Sequence, residues 1–392
     1  MSELEARRQS DALRSFRRLD RRGVHIVTPD GRELVNLSSN DYLGLASDPD
    51  IADVAARAAR AIGVGAGSAR LISGTTSAYA ALEERLAHFQ GRDRAVIFGS
   101  GYLANVGVID ALVGRGDFVV ADRLVHASII DGCRLSGAHL FRYRHGDIDS
   151  LTEMLQRAAD RGARRILIVT ESVFSMDGDV APLAEIVEAK ERFGAALLVD
   201  EAHADGVFGP RGGGLCSALG LADRVELHLG TFSKAFGCYG AYVAGGARWI
   251  EYLVNAARTV VYETALPPMV VAAIGAALDR IEVADGARAT LASNSKRFRS
   301  SLAAAGADTA SSSTQIVPVL LGDSLRALEV SGALEDAGFL VVAIRPPTVP
   351  KGAARLRFSL TASHTTDELD RAVRAVEAVF EHDADHGAPV GS

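Results

Sequence analysis

The chain is poor in cysteine and aromatic residues, and it has no strong charge of either sign and no long apolar run. Its three cysteines, Cys133, Cys216 and Cys238, are odd in number, far apart and form no CxxC pair. This excludes a disulfide or zinc framework, so we expect a reduced, cytoplasmic protein without a metal site. No apolar stretch is as long as a bilayer is thick, so no membrane segment is expected. The first residues carry Glu3, Glu5 and Asp11 but no apolar core, which argues against a signal or transit peptide. A net charge of −7 gives no general attraction to nucleic acid or anionic lipid. The dipeptide Gly-Lys is absent, which removes a GxxxxGK[ST] phosphate loop and, with it, a helicase reading of Asp200-Glu-Ala-His203. Gly63-Val-Gly-Ala-Gly-Ser68 lacks the GxGxxG form and does not directly follow a strand, so nicotinamide binding is poorly supported.

The 392 residues are 48% apolar and rich in Ala and Gly, which suits close helix–sheet packing. Residues 3–22 read as a basic amphipathic helix with seven arginines from Arg7 to Arg22 and with Leu4, Leu13 and Phe16 as apolar contacts. Short strands are expected at Val24–Val27 and Glu33–Leu37. From residue 46 to 285 helical and strand patterns alternate. Apolar strands at Ala95–Phe98, Phe118–Ala121, Ile166–Thr170, Ala195–Asp200 and Val225–Leu229 predict a mainly parallel sheet with helices on both faces. Residues 286–382 change character and predict a smaller α+β domain with strands near Ile316–Leu321, Leu340–Ile344 and Leu356–Ser359. The expected organisation is an arm (1–45), a large α/β domain (46–285), a small domain (286–382) and a frayed tail (383–392).

Ligands in such sheets bind at the carboxyl ends of the strands. Asp200 closes one expected strand, and Lys234, in Thr231-Phe-Ser-Lys234, follows another. A lysine and a carboxylate so placed are what pyridoxal 5'-phosphate chemistry needs. The amine forms a Schiff base with the cofactor aldehyde, and the carboxylate keeps the pyridine nitrogen protonated. Gly99-Ser-Gly-Tyr-Leu-Ala-Asn105 follows a strand and opens a helix, a ready anion site in which Gly101 and Tyr102 offer amides. Thr231 and Ser233 add hydroxyls beside the lysine. His126 follows a strand and suits a ring stacked on the cofactor, and Ser175 follows another. Carboxylate recognition calls for arginine, with candidates at Arg345, Arg355 and Arg357.

Taken together, these residues resemble the α-oxoamine synthase family of fold-type-I pyridoxal-phosphate enzymes, over about Asp11 to His364. Ser38-Ser-Asn-Asp-Tyr-Leu-Gly-Leu45, Ser175-Met-Asp-Gly-Asp179, Asp200-Glu-Ala-His203 and Thr231-Phe-Ser-Lys234 carry the likeness. The resemblance implies that Lys234 holds the cofactor aldehyde, Asp200 the pyridine nitrogen and His203 the ring hydroxyl, while His126 stacks on the ring. It puts Gly101, Tyr102, Thr231 and Ser233 at the phosphate, with Thr264 reaching across from a second subunit of a homodimer. Arg357 would hold the amino-acid carboxylate, and Ser175, Asn40, Arg14, Arg345 and Thr348 would line the cofactor or acyl side. Ile344-Arg-Pro-Pro-Thr-Val-Pro350 and Asp11-Ala-Leu-Arg14 are most similar to the biotin-pathway branch. That branch implies decarboxylative condensation of L-alanine with pimeloyl-CoA or a pimeloyl carrier protein. Three alternatives stay open: a relative using glycine with another acyl-CoA, an aminotransferase, and a non-catalytic binding module.

Overall fold

The structure is a computed structural model, and it describes residues 3–9 and 13–385. Two compact units emerge. One runs from Asp48 to Phe174 and from Val180 to Asp285. The other gathers the described residues up to Ser47, the short stretch Ser175–Asp179 and the chain from Gly286 onward. The residues read as a separate arm therefore belong to the same unit as the C-terminal region.

The first unit is built on a seven-stranded sheet. In spatial order its strands are Arg94–Phe98, Ala241–Gly245, Leu227–Thr231, Ala196–Asp200, Ile166–Glu171, Phe118–Asp122 and His139–Tyr143. The last five run parallel, and Ala241–Gly245 is antiparallel to both its neighbours. Val119, Val120, Leu197, Leu198 and Leu229 are fully buried, as expected of strands covered on both faces. Two strands escape the sequence pattern. His139–Tyr143 is an edge strand whose burial is partial and polar. Ala241–Gly245 is central and wholly buried, but its Ala and Gly residues have weak strand preference. The strand expected at Val225–Leu229 lies at Leu227–Thr231 instead, because Ala222–Arg224 forms a 3₁₀ turn whose cap is Val225.

The second unit holds two sheets. One is antiparallel, in the order Ile316–Gly322, Ala354–Ser359, Val342–Ile344. The other contains Asp20–Arg22, His25–Val27, Glu33–Asn36 and Phe339–Leu340. The single strand expected at Leu340–Ile344 is thus two, each serving a different sheet. A helix at Ser324–Asp336, absent from the sequence reading, lies before them. The closing helix runs Thr366–Asp385, beyond the expected start of a frayed tail; residues 386–392 lie outside the described residues.

The helix expected over residues 3–22 does not form. Among the described residues of this stretch only Glu3–Gln9 is helical, and Asp20–Arg22 pairs as a strand with His25–Val27. Arg14 and Arg18, Arg17 and Arg21, and Arg18 and Arg22 would each be four apart on a helix, where like charges repel. Outside a helix Arg17 instead forms a bidentate pair with Glu335 at 2.7 and 2.8 Å. Leu4, Leu13 and Phe16, expected as packing contacts, are exposed.

Candidate active site

In the first unit the chemistry gathers at the carboxyl ends of neighbouring parallel strands. Asp200 ends one of them and pairs in register with Glu171 on one side and Leu229 on the other. It is 6% exposed. Its Oδ1 accepts from the backbone of Ala202 at 3.0 Å, and its Oδ2 accepts from Asn105 Nδ2 at 2.8 Å. Lys234 sits three residues past the strand Leu227–Thr231, in a turn closed by Gly237 N–H to Lys234 O at 2.8 Å and Cys238 N–H to Phe232 O at 2.7 Å. His203 is buried in the turn that follows Asp200.

His126 caps the helix Ala127–Ser136 and keeps solvent-exposed surface. The protein packed around its ring pulls its pKa below the ordinary imidazole range, with the Asp200 charge opposing and the Lys234 charge assisting. A neutral imidazole with open surface suits stacking on a flat ring.

The phosphate end is assembled from two elements. Ser100 caps the helix Gly101–Leu112 by accepting from Leu103 N–H at 3.2 Å. The amides of Gly101 and Tyr102 have no intrahelical acceptor in that first turn. A Cβ at residue 101 would lie 3.8 Å from Thr231 Oγ1, so the bare glycine keeps a hollow between helix and strand end. Thr231 and Ser233 hydroxyls are 2.9 Å apart at its rim, and Ser233 is exposed. A dianion fits this set of free amides and hydroxyls, and a pyridine nitrogen fits the Asp200 carboxylate. The residues present therefore fit pyridoxal phosphate. Thr264 is exposed and bridges to Ala69. Among the described hydrogen bonds, none joins it to Gly101, Tyr102, Thr231 or Ser233 of its own chain.

Behind Asp200 lies a buried polar layer. Glu201 Oε1 accepts from the amides of Leu215 and Cys216 at 2.7 and 3.0 Å. Asp205 receives Tyr242 Oη at 2.7 Å and Gln90 Nε2 at 2.9 Å. Burial first, and then the Glu201 charge, push the Asp205 carboxyl well above the usual range. Glu201, Cys216 and His228 place one oxygen, one sulfur and one nitrogen within 4.8 Å of one another. His228 Nε2 lies 3.0 Å from Ala222 O, and its Nδ1 lies 3.5 Å from Glu201 Oε2; both of these facing atoms are buried without a hydrogen-bond partner.

The second unit carries the cationic residues. Arg357 lies in the strand Ala354–Ser359 and is 7% exposed. It donates from Nε to Ser175 O at 2.5 Å and from Nη1 to Asn40 Oδ1 at 3.1 Å. Asn40 Oδ1 also receives the buried Tyr42 hydroxyl at 3.3 Å. Arg355, two residues away, pairs instead with Asp177. A groove of about 640 Å³ in this unit brings Arg14, Arg345 and Thr348 together beside the apolar Val341–Ile344 edge. Arg14 donates to Thr348 Oγ1 at 2.8 Å. The sequence reading missed Asn105, Ser128, Tyr42 and Asp177. For Asn105 a signal existed: it is a polar residue one turn after Gly101 in a largely apolar helix.

Known proteins resemble this chain in sequence and in fold. Residues 32–376 match the family described as aminotransferase class I and II. The 8-amino-7-oxononanoate synthase of Anaeromyxobacter sp. (strain K) is 50% identical, over 97% of this chain and 94% of that protein. A serine palmitoyltransferase from S. paucimobilis, solved with a bound PLP–myriocin aldimine, superposes with a TM-score of 0.90 at 32% identity, covering 97% of this chain and 96% of that one. The 8-amino-7-oxononanoate synthase of Francisella tularensis superposes at 0.77 with 28% identity, covering 90% and 99%. The chain belongs to the class I and II aminotransferase family and, within that fold-type-I pyridoxal-phosphate group, to the 8-amino-7-oxononanoate synthases.

Proposed function

We propose that this chain catalyses the decarboxylative condensation of L-alanine with pimeloyl-CoA, forming 8-amino-7-oxononanoate, CoA and carbon dioxide in biotin biosynthesis. The observation that carries this reading is the 50% identity over nearly the whole chain to a protein named for that product. When bound, pyridoxal phosphate supplies a reactive aldehyde and an electron-accepting ring.

The chain's own residues do the rest. Asp200 and His203 would hold the two polar edges of the ring, and His126 would cover one face. Gly101, Tyr102, Thr231 and Ser233 would hold the phosphate, with Thr264 of a second copy completing the cradle in a homodimer. Lys234 would hold the cofactor aldehyde, and its amine is the base for the alanine Cα proton, a role worth about 10²–10⁴-fold for a well-placed base. Arg357, held by Ser175 and Asn40, turns its remaining donors to the alanine carboxylate. Arg14, Arg345 and Thr348 recognise the far carboxylate of the pimeloyl chain, whose methylenes lie along the apolar edge at Val341–Ile344. The protein works in the reducing cytoplasm, consistent with its free cysteines.

The test is release of free thiol from pimeloyl-CoA by the PLP-loaded protein with L-alanine, beside glycine with acetyl-CoA or succinyl-CoA. Release with alanine and pimeloyl-CoA alone is expected. Release only in a glycine arm would overturn the substrate assignment in favour of another α-oxoamine synthase.

A further inference from the structure

Four side chains of the first unit join into one directed chain of hydrogen bonds. Asn105 Nδ2 is 2.8 Å from Asp200 Oδ2 and 3.1 Å from Ser128 Oγ. Ser128 Oγ is 2.8 Å from His126 Nδ1, and the backbone N–H of Ser128 also points to Nδ1 at 3.3 Å. Asn105 is 1% exposed and Ser128 is fully buried.

Only one arrangement of protons satisfies all these contacts. An amide oxygen facing Asp200 would set two acceptors against each other, so the Asn105 NH₂ faces the carboxylate and gives its second proton to Ser128 Oγ. His126 Nδ1 already accepts the Ser128 N–H, so it carries no proton and also accepts the Ser128 hydroxyl. The neutral ring then bears its proton on Nε2. Asn105 Oδ1 stays buried without a partner, the cost of aiming the NH₂ at both neighbours.

We propose that Asn105 and Ser128 are positioning residues that tie His126 to Asp200, so that one buried amide fixes both the carboxylate that meets the cofactor nitrogen and the tautomer of the ring beside it. The assignment rests on the pyridoxal-phosphate reading given above. Asn105 stands four residues after Gly101 on the same helix, so the element that offers amides to the phosphate also holds the residue that meets the opposite pole of the cofactor.

Two measurements test the relay. In the apoprotein, nitrogen NMR of His126 is expected to show the proton on Nε2 at neutral pH, and Ser128→Ala is expected to raise the Nδ1-protonated form. A parent ring protonated on Nδ1 would overturn the relay whether or not the cofactor reading holds. In the loaded protein, Asn105→Leu and Asn105→Ala are expected to weaken PLP binding about 10-fold or more and to shift the pH dependence of its visible absorbance, since a hydrogen bond to a charged group is lost. They should lower kcat with little change in the KM for alanine, and Asn105→Gln should recover part of the loss. Lower thermal stability with unaltered PLP affinity and spectrum would reduce Asn105 to a structural residue and overturn the proposal. If the parent itself shows no visible band that Lys234→Ala abolishes, the cofactor reading fails, and the NMR arm alone decides the relay.

Discussion

The placement of Asp200, Lys234 and His126 at or just after strand ends was legible in the sequence, because apolar runs stop at or before each of them. Their supports were not. Asn105 meets Asp200 across 95 residues of chain, and no local pattern encodes that contact. Arg355 and Arg357 show the same limit. Both lie on one face of one strand, and nothing local chooses between them. Asp177, 178 residues away, takes Arg355, while Arg357 is held by Ser175 and Asn40. Replacing Lys234 by Ala is expected to abolish turnover, read by thiol release, while cofactor binding persists. Arg357→Lys keeps the charge but loses the fork, so the KM for alanine should rise about 10-fold or more, with kcat less affected. An unchanged KM would remove Arg357 from carboxylate recognition.

Among the elements, the sheet was legible where strands are Val-, Ile- and Leu-rich. It was not legible at the polar edge strand His139–Tyr143 or in the Ala- and Gly-rich Ala241–Gly245, where tertiary pairing outweighs intrinsic preference. The N-terminal stretch has an amphipathic pattern, but its arginines would stand four apart on a helix, where like charges repel, and residues 13–22 are not helical. The helix Gly101–Leu112 gives a sharp prediction. Ala at position 101 meets only ordinary contacts and is a better helix former, so Gly101→Ala should keep or raise the melting temperature of the apoprotein. It should nonetheless weaken PLP binding by crowding the phosphate hollow; equal affinity in a titration would contradict the cradle. At the start of the closing helix, burial drives His364 down to about 4, with the Glu368 charge opposing. The folded state thus refuses a proton that the unfolded chain takes near the ordinary value of 6.5. This contribution to stability is complete above that value and is lost as pH falls toward about 4. Urea midpoints followed down this window should decline, and less so in His364→Asn.

For the molecule as a whole, an α/β region before residue 285 and an α+β region after it could be read from pattern alone. The threading could not. Ser175–Asp179 belongs with the later unit because Thr314 Oγ1 and Ser313 N–H both bond Gly178 O, at 2.8 and 3.0 Å. Gly178 has φ +68°, and a Cβ there would come within 2.0 Å of Ile316 O, so only glycine fits. The core of the first unit depends on strands such as Leu227–Thr231. Leu229→Ala should cost about 2–5 kcal/mol in chemical unfolding, a loss on the scale of a typical domain's whole stability. A homodimer with Thr264 at the partner's phosphate predicts a two-chain mass by sedimentation and weaker PLP binding in Thr264→Ala. An 8-amino-7-oxononanoate synthase joins alanine to an acyl thioester with loss of the alanine carboxylate, rather than moving an amino group. The most direct measurement follows carboxyl-labelled L-alanine with and without pimeloyl-CoA. Labelled carbon dioxide is expected only when the thioester is present, in step with CoA release. Label retained in a keto acid, with no carbon dioxide, would contradict that reaction and point to an aminotransferase.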